Sequence, residues 1–173
     1  MVRDQPHIGL RHEVGQPRRP HDRGDLRRAD LLEMHGPMGK LRYHANASPG
    51  YLERHFPAGV TPEAIANAPA LTFNQKDRLQ HEWVRQALGQ DVTFPTHWLP
   101  STQSFVDASL AGMGWALNPV QLVREHLASG RLVELVAGAT LDRPLSWQVN
   151  RLAADHLSDL TRHVLVTARR ELT

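Results

Sequence analysis

Residues 96–135, THWLPSTQSFVDASLAGMGWALNPVQLVREHLASGRLVEL, alternate strand and helix signals with a breaker at every joint. No other stretch of the chain constrains the fold as much. Trp98 and Leu99 close an apolar strand. Pro100-Ser101 interrupts it, and Ser101 suits a helix N-cap because its hydroxyl can accept from an orphan backbone N–H. Phe105, Val106, Ser109 and Leu110 then recur at helical spacing. Gly112-Met113-Gly114 ends that helix and turns into Trp115-Ala116-Leu117, which stops at Asn118-Pro119. Residues 121–127 form a second helix, Ser129-Gly130 terminates it, and 131–136 form another strand. Such a repeat sets the backbone N–H groups of helix starts beside a sheet edge, where carboxylates and small anions bind.

A chain of 173 residues is long enough for one domain with an ordinary core. It has no cysteine, so disulfide and thiolate chemistry are excluded. That agrees with a reducing cytoplasm, the location expected. No apolar run approaches the ~18 residues of a membrane span. The N-terminal MVRDQPHIGLRHEV has no apolar segment of the secretory kind. The net charge is +2, too small an excess to argue for nucleic-acid binding by the chain as a whole.

Composition changes near Lys40. Before it, Arg3, Arg11, Arg18, Arg19, Arg23, Arg27 and Arg28 mix with His7, His12, His21 and His35, and Pro6, Pro17, Pro20 and Pro37 break any period. Only 25–34 has the pattern of a short helix. Large apolar residues are too few to offset the entropy of ordering. Residues 1–39 are therefore expected to be a disordered or unrelated segment, and 40–173 one domain. Within that domain the patterns predict strands over 41–45, 71–73, 93–99 and 145–149. Helices are expected over 49–55, over 61–66 with Thr61 as cap and Pro62 in the first position, over 77–88 with Gly89 as stop, and over 157–172. Strands alternating with helices argue for an α/β fold with a largely parallel sheet covered by helices on both faces.

The run AGMGWALNPVQLVREHLASGRLVEL resembles the effector-binding domain of LysR-type transcriptional regulators. In that family a Gly-x-Gly apolar strand ending in Pro leads through a helix to Gly-Arg-Leu-Val. FNQKDRLQ at 73–80, HWLPS at 97–101, ASP at 47–49 and LSWQ at 145–148 narrow the resemblance to the ArgP/LysG branch, which senses basic amino acids. The resemblance implies a periplasmic-binding-protein-like (type 2) fold of two α/β lobes joined by crossing strands. Residues 41–135 would supply most of the second lobe, and those from 145 onward the returning strand and helix of the first. It also implies a non-enzymatic sensor without cofactor, a homo-oligomer, and DNA binding only through a winged helix-turn-helix, of which this chain has no pattern. The segment before Lys40 resembles neither that module nor the first half of the first lobe. Its Arg/Pro/His/Gly bias is what a GC-rich gene read in another frame, or from a mis-set start, would give. The expectation is thus a truncated effector-binding domain.

Several side-chain groups invite chemistry. The four N-terminal histidines match no metal-ligand spacing, and no metal site is expected. Asp77, His81 and Glu82 read as exposed helix neighbours without a nucleophile. Ser101 and Ser104 lack a Gly-x-Ser-x-Gly elbow. By resemblance, the junction at Ser101 and Thr102 lines the effector pocket, offering hydroxyls and free N–H groups to a ligand carboxylate. Asn74-Gln75-Lys76-Asp77 carries turn chemistry. Alternatively, Asn74 or Asp77 meets the cationic end of a basic amino acid, which needs an acidic partner once desolvated. Trp98, Trp115 and Trp147 are core candidates first. Trp115, beside the turn where the family's cleft lies, is the one expected to touch an effector. Arg124, Arg131, Arg162, Arg169 and Arg170 read as solvated. The leading expectation is a lysine or arginine sensor. A stand-alone amino-acid-binding module of the same fold and, further off, a small hydrolase are the alternatives.

Overall fold

The computed structural model describes residues 32–150 and 153–172. The organising element is β1 (Leu32–Ala47), which carries three antiparallel ladders. β4 (Ala116–Pro119) pairs with its C-terminal part, with Tyr43 opposite Pro119 and Asn46 opposite Ala116. The two-residue β5 (Val133–Glu134) joins at Asn46 and Ala47. β6 (Thr140–Asn150) runs along most of β1, from Thr140 opposite His44 to Asn150 opposite Leu32, with irregular register between Met34 and Gly39. A second, parallel pair consists of β2 (Ala70–Thr72) and β3 (Thr96–Trp98). It joins the first sheet through Trp115: the Leu71 N–H donates to the Trp115 carbonyl at 2.8 Å, and the Trp115 N–H to the Pro69 carbonyl at 3.2 Å.

The expected α/β class holds, but the expected largely parallel sheet is corrected. Among the described residues only β2, β3 and the bridge at Trp115 are parallel. Alternating helices and strands predict parallel pairing when each strand pairs with its chain neighbours. Here β1 pairs with strands some 70 to 120 residues away, and β1 and β6 together form a long antiparallel ribbon. β1 also includes residues 32–34, which are strand where a short helix was read. The remaining expectations for the N-terminal segment lie on residues 1–31, outside the described residues.

The helices follow their local chemistry. α1 (Pro49–His55) and α2 (Pro62–Asn67) begin with Pro in the first turn, where a missing N–H costs no hydrogen bond. The Thr61 hydroxyl accepts from the Ala64 N–H at 3.2 Å, the predicted cap. Replacing Thr61 with Ala is expected to lower stability by about 1 kcal/mol, read as a lower urea midpoint at unchanged slope. α3 (Leu79–Leu88) ends on Gly89, whose φ of 74° suits a residue without Cβ. α4 (Thr102–Leu110), α5 (Val120–Ala128) and α6 (Ser158–Glu171) complete the set. α6 buries Thr161 and Ala168, and Leu160 is half exposed.

The main core gathers Trp83, Trp115, Phe94, Tyr51 and Ile65 beneath β1 and β4. Each buried aromatic polar tip has an acceptor, as burial of Trp or Tyr requires. Trp83 Nε1–H donates to Ala139 O at 2.7 Å, Trp115 Nε1–H to Ala68 O at 3.3 Å, and Tyr51 O–H to Pro69 O at 2.7 Å. Burial pushes the Tyr51 hydroxyl pKa well up, so it stays a neutral donor. A small polar network lies between β1, β4 and α4. Asn118 Nδ2–H donates to Asn46 Oδ1 at 3.0 Å and reaches Ser109 Oγ at 3.4 Å, while Asn118 Oδ1 has no partner.

Candidate functional site

A cavity of about 510 Å³ opens where β1, β2, α3, α4 and β4 meet. Leu41 and Tyr43 of β1 and Leu117 and Pro119 of β4 form one side. The turn after β2 contributes Phe73, Asn74, Lys76 and Asp77, the start of α3 adds Leu79 and Gln80, and α4 adds Thr102 and Phe105. The walls are mainly apolar, with a few convergent polar groups, the usual make-up of a small-ligand site.

The turn explains itself locally. Asn74 Oδ1 accepts from the Lys76 N–H at 2.8 Å. The Asp77 carboxylate takes two backbone donors, Phe73 N–H on Oδ2 and Leu79 N–H on Oδ1, each at 3.1 Å. Asp77 therefore stands just before α3, which begins at Leu79 rather than at 77. Each carboxylate oxygen retains acceptor capacity beyond its single bond. Tyr43 faces the same cavity. Its hydroxyl pKa is raised chiefly by burial and further by the Asp77 carboxylate, with the Arg143 guanidinium acting the other way. The Asp77 carboxylate and the Lys76 ammonium, set in mainly apolar walls, offer a ligand one group of each sign.

Three of the five expected site residues, Asn74, Asp77 and Thr102, are brought together in this cavity. Ser101 is not in its lining. It is exposed and caps α4, its Oγ accepting from the Ser104 N–H at 3.4 Å. Trp115 is not in the lining either. Its side chain is fully buried, with ring centroids 5.6 Å from Trp83 and 5.4 Å from Phe94, and it faces the main core rather than the cavity. The Gly-x-Gly signal locates the turn correctly but says nothing about which face of the following strand meets the ligand. Tyr43, Gln80 and Leu117 were missed. Gln80 had a local signal, lying three residues past Asp77 in a helix pattern. Tyr43 had none, because it reaches the cavity through pairing with β4 and β6.

The dismissed groups have simple places. His81 does not form an exposed pair with Asp77. Its ring lies 4.6 Å from Phe94, and burial, with Arg78 nearby, lowers its pKa. Among the described residues no three His, Cys, Asp or Glu side chains could hold a metal ion, and no helix is long and apolar enough to cross a membrane. The histidines at 7, 12 and 21, and the side chain of His35, lie outside what is described. Arg124, Arg131, Arg162, Arg169 and Arg170 are exposed, as expected.

Crossing strands, a mixed lobe and a cleft-side cavity define a periplasmic-binding-protein-like effector lobe, a class built to hold a small ligand. The sequence model for the LysR substrate binding domain matches residues 3–173, and the chain belongs to that family. The match starts well inside the segment read from composition as unrelated. Among curated relatives, the HTH-type transcriptional regulator ArgP of Pseudomonas aeruginosa is 41% identical over 131 residues, 76% of this chain and 43% of that protein. The chain thus spans less than half the length of the relatives it matches. The C-terminal domains of a LysR family protein from Agrobacterium tumefaciens superpose with a TM-score of 0.81 at 64% identity, covering 84% of this chain and 70% of that one. Full-length LysG from Corynebacterium glutamicum with bound effector Arg superposes at 0.67 and 27% identity, covering 82% and 47%. The named relatives are regulators, not enzymes.

Proposed function

We propose that the chain is the sensing part of a cytoplasmic transcriptional regulator and that it holds a basic amino acid, arginine or lysine, in the cavity between Tyr43, Asp77 and Thr102. The observation that carries this reading is the Asp77 carboxylate set in a largely apolar wall beside a desolvated Tyr43. Further support comes from the arginine held by the LysG relative. The ligand cation lies at Asp77, with Asn74 flanking it. The carboxylate lies at Thr102 and the start of α4, whose first N–H groups favour an anion and which Ser101 holds in place as cap. Ligand binding closes a facing lobe on this one and shifts a homo-oligomer between two arrangements on DNA. DNA contact in that scheme belongs to a helix-turn-helix outside the described residues.

Among the described residues, the groups that line the cavity come from one lobe and the crossing strands. A charge-assisted hydrogen bond contributes about 1.5–3 kcal/mol to binding, and ~1.4 kcal/mol is tenfold. Titration calorimetry of the 173-residue chain against a panel of amino acids is expected to find arginine or lysine binding in preference to acidic and aliphatic amino acids. Asp77→Ala and Ser101→Ala should weaken that binding. Micromolar affinity indifferent to both substitutions would remove this site assignment.

A further inference from the structure

Gln80 lies three residues past Asp77 and lines the same cavity, yet it is only 1% exposed. Its Nε2–H donates to the Leu71 carbonyl at 2.6 Å. A carbonyl oxygen can only accept, so this partner dictates the amide's orientation: the NH2 end faces β2, and Oε1 is the other end. Oε1 is sealed from solvent and has no hydrogen-bond partner. A buried acceptor without a donor is disfavoured, and native proteins rarely keep one without a ligand or water to answer it.

We propose that Gln80 is a specificity-determining residue whose Oε1 accepts an N–H from the side-chain end of the bound amino acid, beside Asp77. The inference rests on the cavity being a basic-amino-acid site. Asp77 selects for positive charge. Gln80, neutral and rigidly held, selects for a donor at one depth in the pocket. Together they set two acceptors at the start of α3, a position whose helix dipole alone would favour an anion. A carboxylate side chain is repelled there, and an aliphatic one leaves both acceptors unanswered. Because Oε1 is covered, the donor reaches it only as the cavity wall adjusts around the ligand.

The test compares arginine with norleucine, which lacks terminal N–H groups, by NMR titration of the full 173-residue chain. The Gln80 side-chain amide signals are expected to move with arginine and stay in place with norleucine. Gln80→Met should reduce the preference for arginine over norleucine about tenfold, the effect of one hydrogen bond to a charged donor. A purely structural tether to Leu71 affects both ligands alike and leaves the preference unchanged, which would overturn the proposal. So would Gln80 amide signals that do not move at saturating arginine, a readout that stands even if Gln80→Met does not fold. If wild-type chain binds no basic amino acid at all, the cavity reading falls and takes this one with it. Arginine binding with an unaltered preference in Gln80→Met removes the Gln80 role alone.

Discussion

Trp115→Ala is expected to destabilise the chain by about 3–5 kcal/mol, enough to leave a domain of ordinary stability partly unfolded. The indole is fully buried against Trp83 and Phe94, and its N–H donates to Ala68 O. Truncation opens a cavity in the main core and leaves a carbonyl without its donor. The Trp115 backbone also bridges β2 to β4, but alanine keeps that bridge, so the loss reads on packing alone. Guanidinium unfolding monitored by circular dichroism measures it. A loss below about 1 kcal/mol together with abolished arginine binding would return Trp115 to the ligand site.

Gly114→Ala is the second large effect. A Cβ at Gly114 would stand 2.6 Å from Leu71 Cδ2 and 3.0 Å from the Pro69 carbonyl oxygen. Leu71 is fully buried, and the Pro69 carbonyl accepts from the Trp115 N–H, so neither can retreat without opening the β2–β4 bridge. Overpacking at such a place costs about 1–3 kcal/mol. For a chain of this size that corresponds to a fall in Tm of roughly 2–4 °C per kcal/mol. Gly50→Ala is the matched control, because a Cβ there meets nothing within 4 Å. Equal melting of the two variants would show that the sheet relaxes around the new methyl group.

The legible parts of the sequence were those whose cause is local. The cap at Thr61, the stop at Gly89 and the cap at Ser101 each depend on a residue and the next three or four, and the chain folds as read there. Asn74, Asp77 and Thr102 share a cavity because two such junctions, the starts of α3 and α4, lie at the same end of β2 and β3. The illegible parts depend on distant pairing. Tyr43 enters the cavity because β1 crosses β4, and Arg42 finds Asp142 a hundred residues away. No period in the sequence announces either contact. The side taken by Trp115 was likewise undetermined, since an apolar strand between two layers can turn a large ring toward the core or the cleft.

The Asn46–Asn118–Ser109 network has a bearing on how the chain finds one arrangement among several. β1 is sixteen residues long and meets partners on both edges, which gives it many ways to slide. Slippage by one residue against β4 turns Asn46 to the opposite face of the sheet. Asn118 then loses its Asn46 acceptor in a buried site, at roughly 1–3 kcal/mol for the group stranded. The native network itself leaves one acceptor, Asn118 Oδ1, without a donor, so it adds little net stability to the correct fold. Its weight falls on the wrong registers, widening the gap between the native ladder and its nearest competitors.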